Sequence, residues 1–355
     1  MSLGDIIDKT TSAWMQADAP SADVVLSSRV RLARNLAGIP FPHRASEADL
    51  AKVADQVQRA IRTTKELSDL VVIRLAETPA LDRQILVEKH LISPQHAQGA
   101  RHRLVAIRPD ETVSVMVNEE DHLRIQALLP GLQLEEALKL ASRVDDLFEI
   151  KVDYAFDEKL GYITACPTNV GTGLRASVMV HLPALAATGQ VGRVLAAVSN
   201  VGIAVRGLYG EGSEATGNVF QLSNQVTLGR SEDELVDNLV GITKQIIGQE
   251  RSVREKLVRE RRDQLEDKVN RAYGLLSHAR LITSQEALGL LSDVRLGVEA
   301  GLLPGVDAKT LNELMVITQP AYLQRIMGKE LGPHERDVRR AALIREKIKA
   351  RKEGR

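Results

Sequence analysis

The spacing of apolar residues predicts a chain that changes character once, near Ser231. A helical pattern opened by Ser46 runs over 46–66, and VVIRL (71–75) then reads as a strand. RQILVEKHLIS (83–93), RLVAIRP (103–109) and TVSVMVNEED carry the β-branched, bounded pattern of further strands. LQLEEALKLASRVDDLFE (132–149) spaces its leucines and Val144 for an amphipathic helix, and 160–228 alternates strand-like runs with Gly-rich turns. Strands in consecutive groups with helices between them predict an α+β fold with a mainly antiparallel sheet flanked by helices, not regular βαβ winding.

Beyond Ser231 the pattern turns helical. SEDE is a capping box with Ser231 as N-cap and Glu234 three residues on, and the helical pattern continues to about Leu276. TSQE at 283–286 repeats the device, and Asp307 caps a further helix through Leu314. Breaks fall near Gly301–Gly305 and Gly328–Pro333. The reading is a first domain of residues 1–255 followed by an all-helical domain, 256–355, with the boundary inside one long helix.

Composition narrows the function classes. The 355 residues hold 47 Lys/Arg and 47 Asp/Glu, so no global charge pulls the chain toward nucleic acid. Aromatics are 3%, which leaves few platforms for base stacking. No apolar run approaches the ~18–20 residues that span a bilayer. The N-terminal MSLGDIIDKTTSAWM lacks the layout of a secretory signal. With a single cysteine, these features point to a reducing cytoplasm.

That cysteine stands in CPTNVGTGLRAS (166–177), where hydroxyls, glycines and an arginine follow it into a strand-like run. On residues alone Cys166 is either a small buried side chain or part of an anion-handling site. The motif resembles the cysteine motif of the phosphagen (guanidino) kinases, which move the terminal phosphoryl of ATP onto a guanidinium. SSRVRLARN (27–35), VNEEDHLRIQ (117–126) and VRGLYGEGSEATGN (205–218) match the same family in the same order. The resemblance implies a phosphagen-kinase-like catalytic domain. It implies an ATP site of Ser27, Ser28, Arg29, Val30, Arg31, His90, Arg124, Arg175, the backbone of Arg175, Ala176, Ser177, Val178 and Met179, and Arg206, Gly207, Leu208, Tyr209 and Gly210. Mg²⁺ is expected on the phosphates and water, with no protein metal ligand. Glu120 and Glu211 are expected to grip the acceptor guanidinium and take its proton, and Glu211 sits in a Gly-rich loop, 210–217, that could close over the site. Cys166 is expected beside them as a thiolate that positions and tunes, without covalent attack. Glu119 and Asp121 read as solvated or structural charge.

Two features favour a protein acceptor. In kinases of small guanidino metabolites a helical domain precedes the SSRVR-like motif, which here begins at Ser27. At the other end, ERDVRRAAL (335–343) is similar to the RDxxRA motif of bacterial protein arginine kinases. On a helix Arg336, Asp337 and Arg340 share a side, so two cations and an anion could read phosphoarginine. From Lys329 onward ten Lys/Arg face five Asp/Glu, which leaves room for acidic partners. The branch resemblance implies a role in stress response, an activator protein, a protease or chaperone pathway, and a homodimer or larger homo-oligomer, with the apolar C-terminal segments as a possible dimer surface. The alternatives are a phosphagen kinase acting on free arginine or another small guanidino compound, and a phosphoarginine-binding adaptor.

Overall fold

The computed structural model describes residues 2–99, 101–207 and 216–350. Among them the strands are β1 (Val25–Arg34), β2 (Val71–Arg74), β3 (Leu104–Ile107), β4 (Val113–Val117), β5 (Leu123–Pro130), β6 (Phe156–Asp157), β7 (Gly161–Tyr162), β8 (Leu174–His181), β9 (Ile203–Arg206) and β10 (Val219–Asn224). Eight of them form one sheet in the order β2–β3–β4–β5–β1–β8–β10–β9, with every neighbouring pair antiparallel. The expected α+β class and antiparallel sheet are present.

Period-two alternation gives this sheet two unlike faces. Val30 and Leu32 on β1, Ile125 and Ala127 on β5, and Ala176 and Val178 on β8 are completely buried. They pack with apolar residues of the helices Glu47–Thr63, Leu134–Glu149 and Glu232–Glu260. The intervening positions put Arg29 and Arg31 of β1, Arg124 of β5, Arg175 of β8 and Arg206 of β9 on the opposite face, as the pairing register requires. A sheet covered by helices on one side and lined by arginines on the other is built to hold an anion.

Two segments depart from the sequence reading. The run 83–93 is no strand: Ala80–Glu88 is a helix begun by Pro79. Its Ile85, Leu86 and Val87 are consecutive and all buried, because Ile85 joins one apolar cluster and its two neighbours another. Burial on several sides erases the helical period and imitates a buried strand. Within 160–228, Pro183–Ala187 and Val191–Asn200 are also helices, not strands and turns.

Beyond Ser231 the capping box forms, with Ser231 N–H donating to Glu234 (2.9 Å) and Glu234 N–H to Ser231 Oγ (3.2 Å). The long helix Glu232–Glu260 serves two cores: Leu235, Leu239 and Ile246 pack with the sheet, while Leu257 and Val258 pack with the helices that follow. Those are Arg262–His278, Ser284–Glu299, Ala308–Ile317, Pro320–Met327 and Pro333–Ala350. The apolar residues of LSDVRLGVEAGLL and LNELMVITQPAYL, read as a possible dimer surface, are largely consumed inside this chain: Leu291, Val294, Leu296, Leu311, Leu314 and Leu323 are all buried.

The amino-terminal residues join this second core. Ile7, Trp14 and Met15 belong to it, and the Tyr322 hydroxyl lies 2.8 Å from both Ile7 O and Lys9 O. Glu88 ties the same region to the sheet domain by accepting from Ala321 N–H (2.9 Å) and Tyr322 N–H (2.8 Å), which caps the helix Pro320–Met327. Burial pushes the Glu88 carboxyl up to about 7 against those two donors. Its neighbour Lys89 is wholly buried on Glu111 (2.7 Å), and His90, next again, faces the arginine side of the sheet. Among the described residues no helix is long and apolar enough to cross a membrane.

Candidate active site

The arginine face of the sheet floors a cavity of about 970 Å³. Arg29, Arg31, Arg124, Arg175 and Arg206, drawn from four sequence motifs, all line it, together with His90, Glu119, Glu120 and Cys166. Across the ladder Arg31 stands opposite Arg175, and Arg29 opposite Ser177. Such crowding costs free energy in the unliganded protein. Burial first, then repulsion from Arg175, Arg124 and Arg206, pulls Arg29 down to about 10. Arg31 is pushed down by burial foremost, then by repulsion from Arg29, Arg124 and Arg175, against Glu119. Arg29 donates to neutral partners, Gln221 Oε1 at 2.9 Å and Ser177 Oγ at 3.4 Å, and Arg31 Nε has no hydrogen-bond partner among the described residues. His90 is held to about 3 by burial and Arg29, so it faces the cavity as neutral imidazole.

One side of the cavity is formed by the loop 118–122, between β4 and β5. Arg124 bridges two carboxylates there, Glu119 at 2.5 Å and Glu120 at 3.0 Å. Glu119 is buried, and although burial works against its charge, Arg124 and the Ser93 hydroxyl hold its carboxyl below the usual range. Glu120 is 45% exposed at its side chain, and its carboxyl is raised by burial and by the charges of Asp121 and Glu119, against Arg124. Neither Glu119 nor Asp121 is solvated charge: both are buried, Asp121 completely.

Cys166 stands at the cavity edge with its Sγ 3.1 Å from Thr168 Oγ1. The turn behind it is fixed by protein contacts. Thr227 Oγ1 donates to Val170 O (2.7 Å), and Gly173, at φ 66°, lies so close to β1 that a Cβ would come within 2.6 Å of Ala33 O. Its glycine therefore serves packing against the chain itself. Arg34, near the end of the SSRVRLARN run, has one face on the Tyr162 ring (3.5 Å to the centroid) and forms a 2.6 Å ion pair with Asp145. It donates to Thr172 O at 2.9 Å, so a buried arginine that the motif reading left without a role holds the cysteine turn.

The rest of the ATP set divides by sheet face. Ser27, Ser177 and Met179 lie on the cavity side with Arg29 and His90. The side chains of Ser28, Val30, Ala176 and Val178 occupy the alternate positions and point into the core. The Ser28 hydroxyl is engaged by Gly131 O (2.8 Å) and Gln133 N–H (2.9 Å). Gly207 follows β9 at the edge of the sheet. Leu208, Tyr209, Gly210 and Glu211 lie outside the described residues. Among the described residues no group of three or more His, Cys, Asp or Glu side chains is arranged to hold a metal ion.

At the far end Arg336, Asp337 and Arg340 lie on Pro333–Ala350, but not as an open face. Arg340 is 2% exposed and donates to Thr318 O (2.8 Å), Ile282 O (2.9 Å) and Asp337 Oδ1 (2.5 Å). Arg340, read from the sequence as part of a phosphoarginine site, ties helices together in the interior.

Residues 52–253 match the family model of the ATP:guanido phosphotransferase C-terminal catalytic domain, and 262–355 match that of the protein-arginine kinase McsB C-terminal domain. The protein-arginine kinase of Moorella thermoacetica is 57% identical over 338 residues, 94% of this chain and 97% of that protein. That of Symbiobacterium thermophilum is 55% identical over 353 residues, 99% of this chain and 100% of that protein. Among solved structures, the duplicated taurocyamine kinase of Schistosoma mansoni with bound transition state analog components is similar, with a TM-score of 0.61 and 26% identity. The match covers 66% of this chain and 34% of that duplicated one. Lombricine kinase shares the fold, with a TM-score of 0.58 at 22% identity over 71% of this chain and 77% of its own.

Proposed function

We propose a residue-level mechanism for a chain that belongs to the ATP:guanido phosphotransferase family. The protein is an ATP-dependent protein-arginine kinase. The observation that carries the mechanism is the convergence of five arginines from four motifs on one sheet face, with Glu120 and Cys166 at its rim. In our reading the arginines neutralise the triphosphate and the charge that spreads over the transferring phosphoryl, and Mg²⁺, held by the phosphates and water, would add to that neutralisation. Planar guanidinium donors suit this because they stay charged and offer paired hydrogen bonds.

The acceptor is the guanidinium of an arginine side chain. Its nitrogen lone pair is delocalised and its proton is held tightly, so the site must orient it and accept the proton as the bond forms. Glu120 faces the cavity and supplies that carboxylate, with Glu211 proposed as its partner. A nitrogen–phosphorus bond forms as the bond from the γ-phosphorus to the β-phosphate bridging oxygen breaks. ADP leaves, and the guanidinium proton passes to the carboxylate. Cys166 orients the guanidinium edge and takes no phosphoryl. Incubation with ATP, Mg²⁺ and either a folded arginine-bearing protein or free arginine, followed by mapping under non-acidic conditions, tests the substrate class. Phosphoarginine on the protein is expected, and faster turnover of free arginine would overturn the reading.

Arg336, Asp337 and Arg340 are proposed as a second, non-catalytic phosphoarginine site. Ligand binding there requires Arg340 to exchange interior carbonyl partners for a phosphate, which gives a basis for linking binding to helix packing. Asp337→Ala is expected to weaken phosphoarginine binding by about 1.5 kcal/mol, less where water screens the site, with ATP affinity unchanged. Equal phosphoarginine affinities for the two proteins by calorimetry would remove this site. An activator protein, a protease or chaperone pathway in stress response, a homo-oligomeric assembly and a cytoplasmic setting belong to the same reading by kinship with the arginine kinase branch.

A further inference from the structure

The acceptor end of the cavity is assembled from segments far apart in sequence: the loop that carries Glu120, the segment before Cys166, and the end of β1. Behind them lies a polar pair that the proposed chemistry does not use. Asp121 is completely buried, and its Oδ1 accepts from Asn35 Nδ2 at 2.6 Å and from the main-chain N–H of Ala165 at 2.7 Å. Asn35, 2% exposed, donates from the same nitrogen to Ile163 O (3.0 Å), and its Oδ1 accepts from His122 N–H (3.0 Å). Two side chains thus join the end of β1, the Glu120 loop and the segment leading into Cys166, with Asp121 next to Glu120 and Ala165 next to Cys166.

We propose that the buried Asn35–Asp121 pair is a positioning clamp that fixes Glu120 and the Cys166 segment relative to one another around the acceptor guanidinium. It rests on the reading of Glu120 and Cys166 as the acceptor end.

The choice of Asp at 121 carries a second meaning. Asparagine could offer one oxygen to both donors, so the two hydrogen bonds do not need a charge. Asp121 Oδ2, moreover, is buried without a hydrogen-bond partner among the described residues, an arrangement that costs folding free energy. A function for the charge is therefore required, and Glu120 beside it supplies one. The charges acting on Glu120 are Arg124 and Arg31, which lower its proton affinity, and Asp121 and Glu119, which raise it. Asp121 makes Glu120 a stronger base toward a reluctant proton.

The two contributions separate by substitution. Asp121→Ala removes clamp and charge together. It is expected to retain ATP affinity while kcat/KM for a protein acceptor falls by about 10²-fold, the scale of a misplaced reacting group. Asp121→Asn keeps an acceptor oxygen, so it should recover most of that loss. Its acid limb of kcat should move to lower pH, because Glu120 loses a neighbour that raises its proton affinity. A purely structural residue would lower ATP affinity and acceptor turnover in parallel. That outcome, an Asp121→Ala enzyme with normal acceptor kinetics, or an unmoved acid limb in Asp121→Asn would each overturn the clamp as stated. Glu120→Gln measured alongside separates the two ideas. If it stays active the assignment of the base has failed, whatever the Asp121 variants do.

Discussion

Glu120→Gln is expected to lower turnover by about 10²-fold or more, the scale associated with loss of a general base, while ATP affinity changes little. The substitution keeps the shape of the side chain and one acceptor oxygen, so Arg124, 3.0 Å away, keeps a partner. What disappears is the ability to take a proton. Because burial and the neighbouring acids raise the Glu120 carboxyl above its ordinary 4.5, wild-type turnover should fall as pH drops through that elevated value. The variant should lose that limb. Steady-state kinetics with a saturating protein acceptor, paired with calorimetric titration of ATP, checks both halves. Near-normal turnover in Glu120→Gln would move the base elsewhere, with Glu211 the next candidate.

The arginine floor was legible from sequence because strand alternation is a strict geometric rule. Arg29 and Arg31 two apart must share a face, and the register that brings Arg124, Arg175 and Arg206 to that face follows once the strands pair. The same rule turns the side chains of Val30, Ala176 and Val178 into the core, and a motif read as a block of residues hides that distinction. What stayed illegible depends on contacts across long sequence separations. Arg34 finds Asp145 and Thr172, Asn35 finds Asp121, and Glu88 finds the end of a helix more than two hundred residues away. The burial of Arg340 was hidden for the same reason: helical periodicity puts it beside Arg336 and Asp337, but only the packed helices decide that this side turns inward. The helix Ala80–Glu88 was missed because burial of consecutive residues carries no period at all.

The crowded arginines lead to a result with two opposite signs. Removing one cation from the floor should ruin nucleotide use and yet leave the unliganded fold as stable as before, or more so. Arg31 is the sharpest case, since burial and repulsion from Arg29, Arg124 and Arg175 all work against its charge and Glu119 only partly compensates. Arg31→Met keeps much of the stem's packing and deletes the charge. The loss of a charge-assisted donor aimed at the transferring phosphoryl is expected to lower kcat/KM for ATP by about 10²-fold or more. Thermal unfolding of the free variant should show no drop in Tm, because the deleted group was among like charges. Mg·ATP is expected to raise the Tm of the wild type through preferential binding to the folded chain, and in the variant that rise should shrink or vanish. An Arg31→Met protein that unfolds earlier than wild type but still gains full stability from Mg·ATP would show that Arg31 is a structural residue, and the phosphate cradle would have to be drawn from the other four arginines.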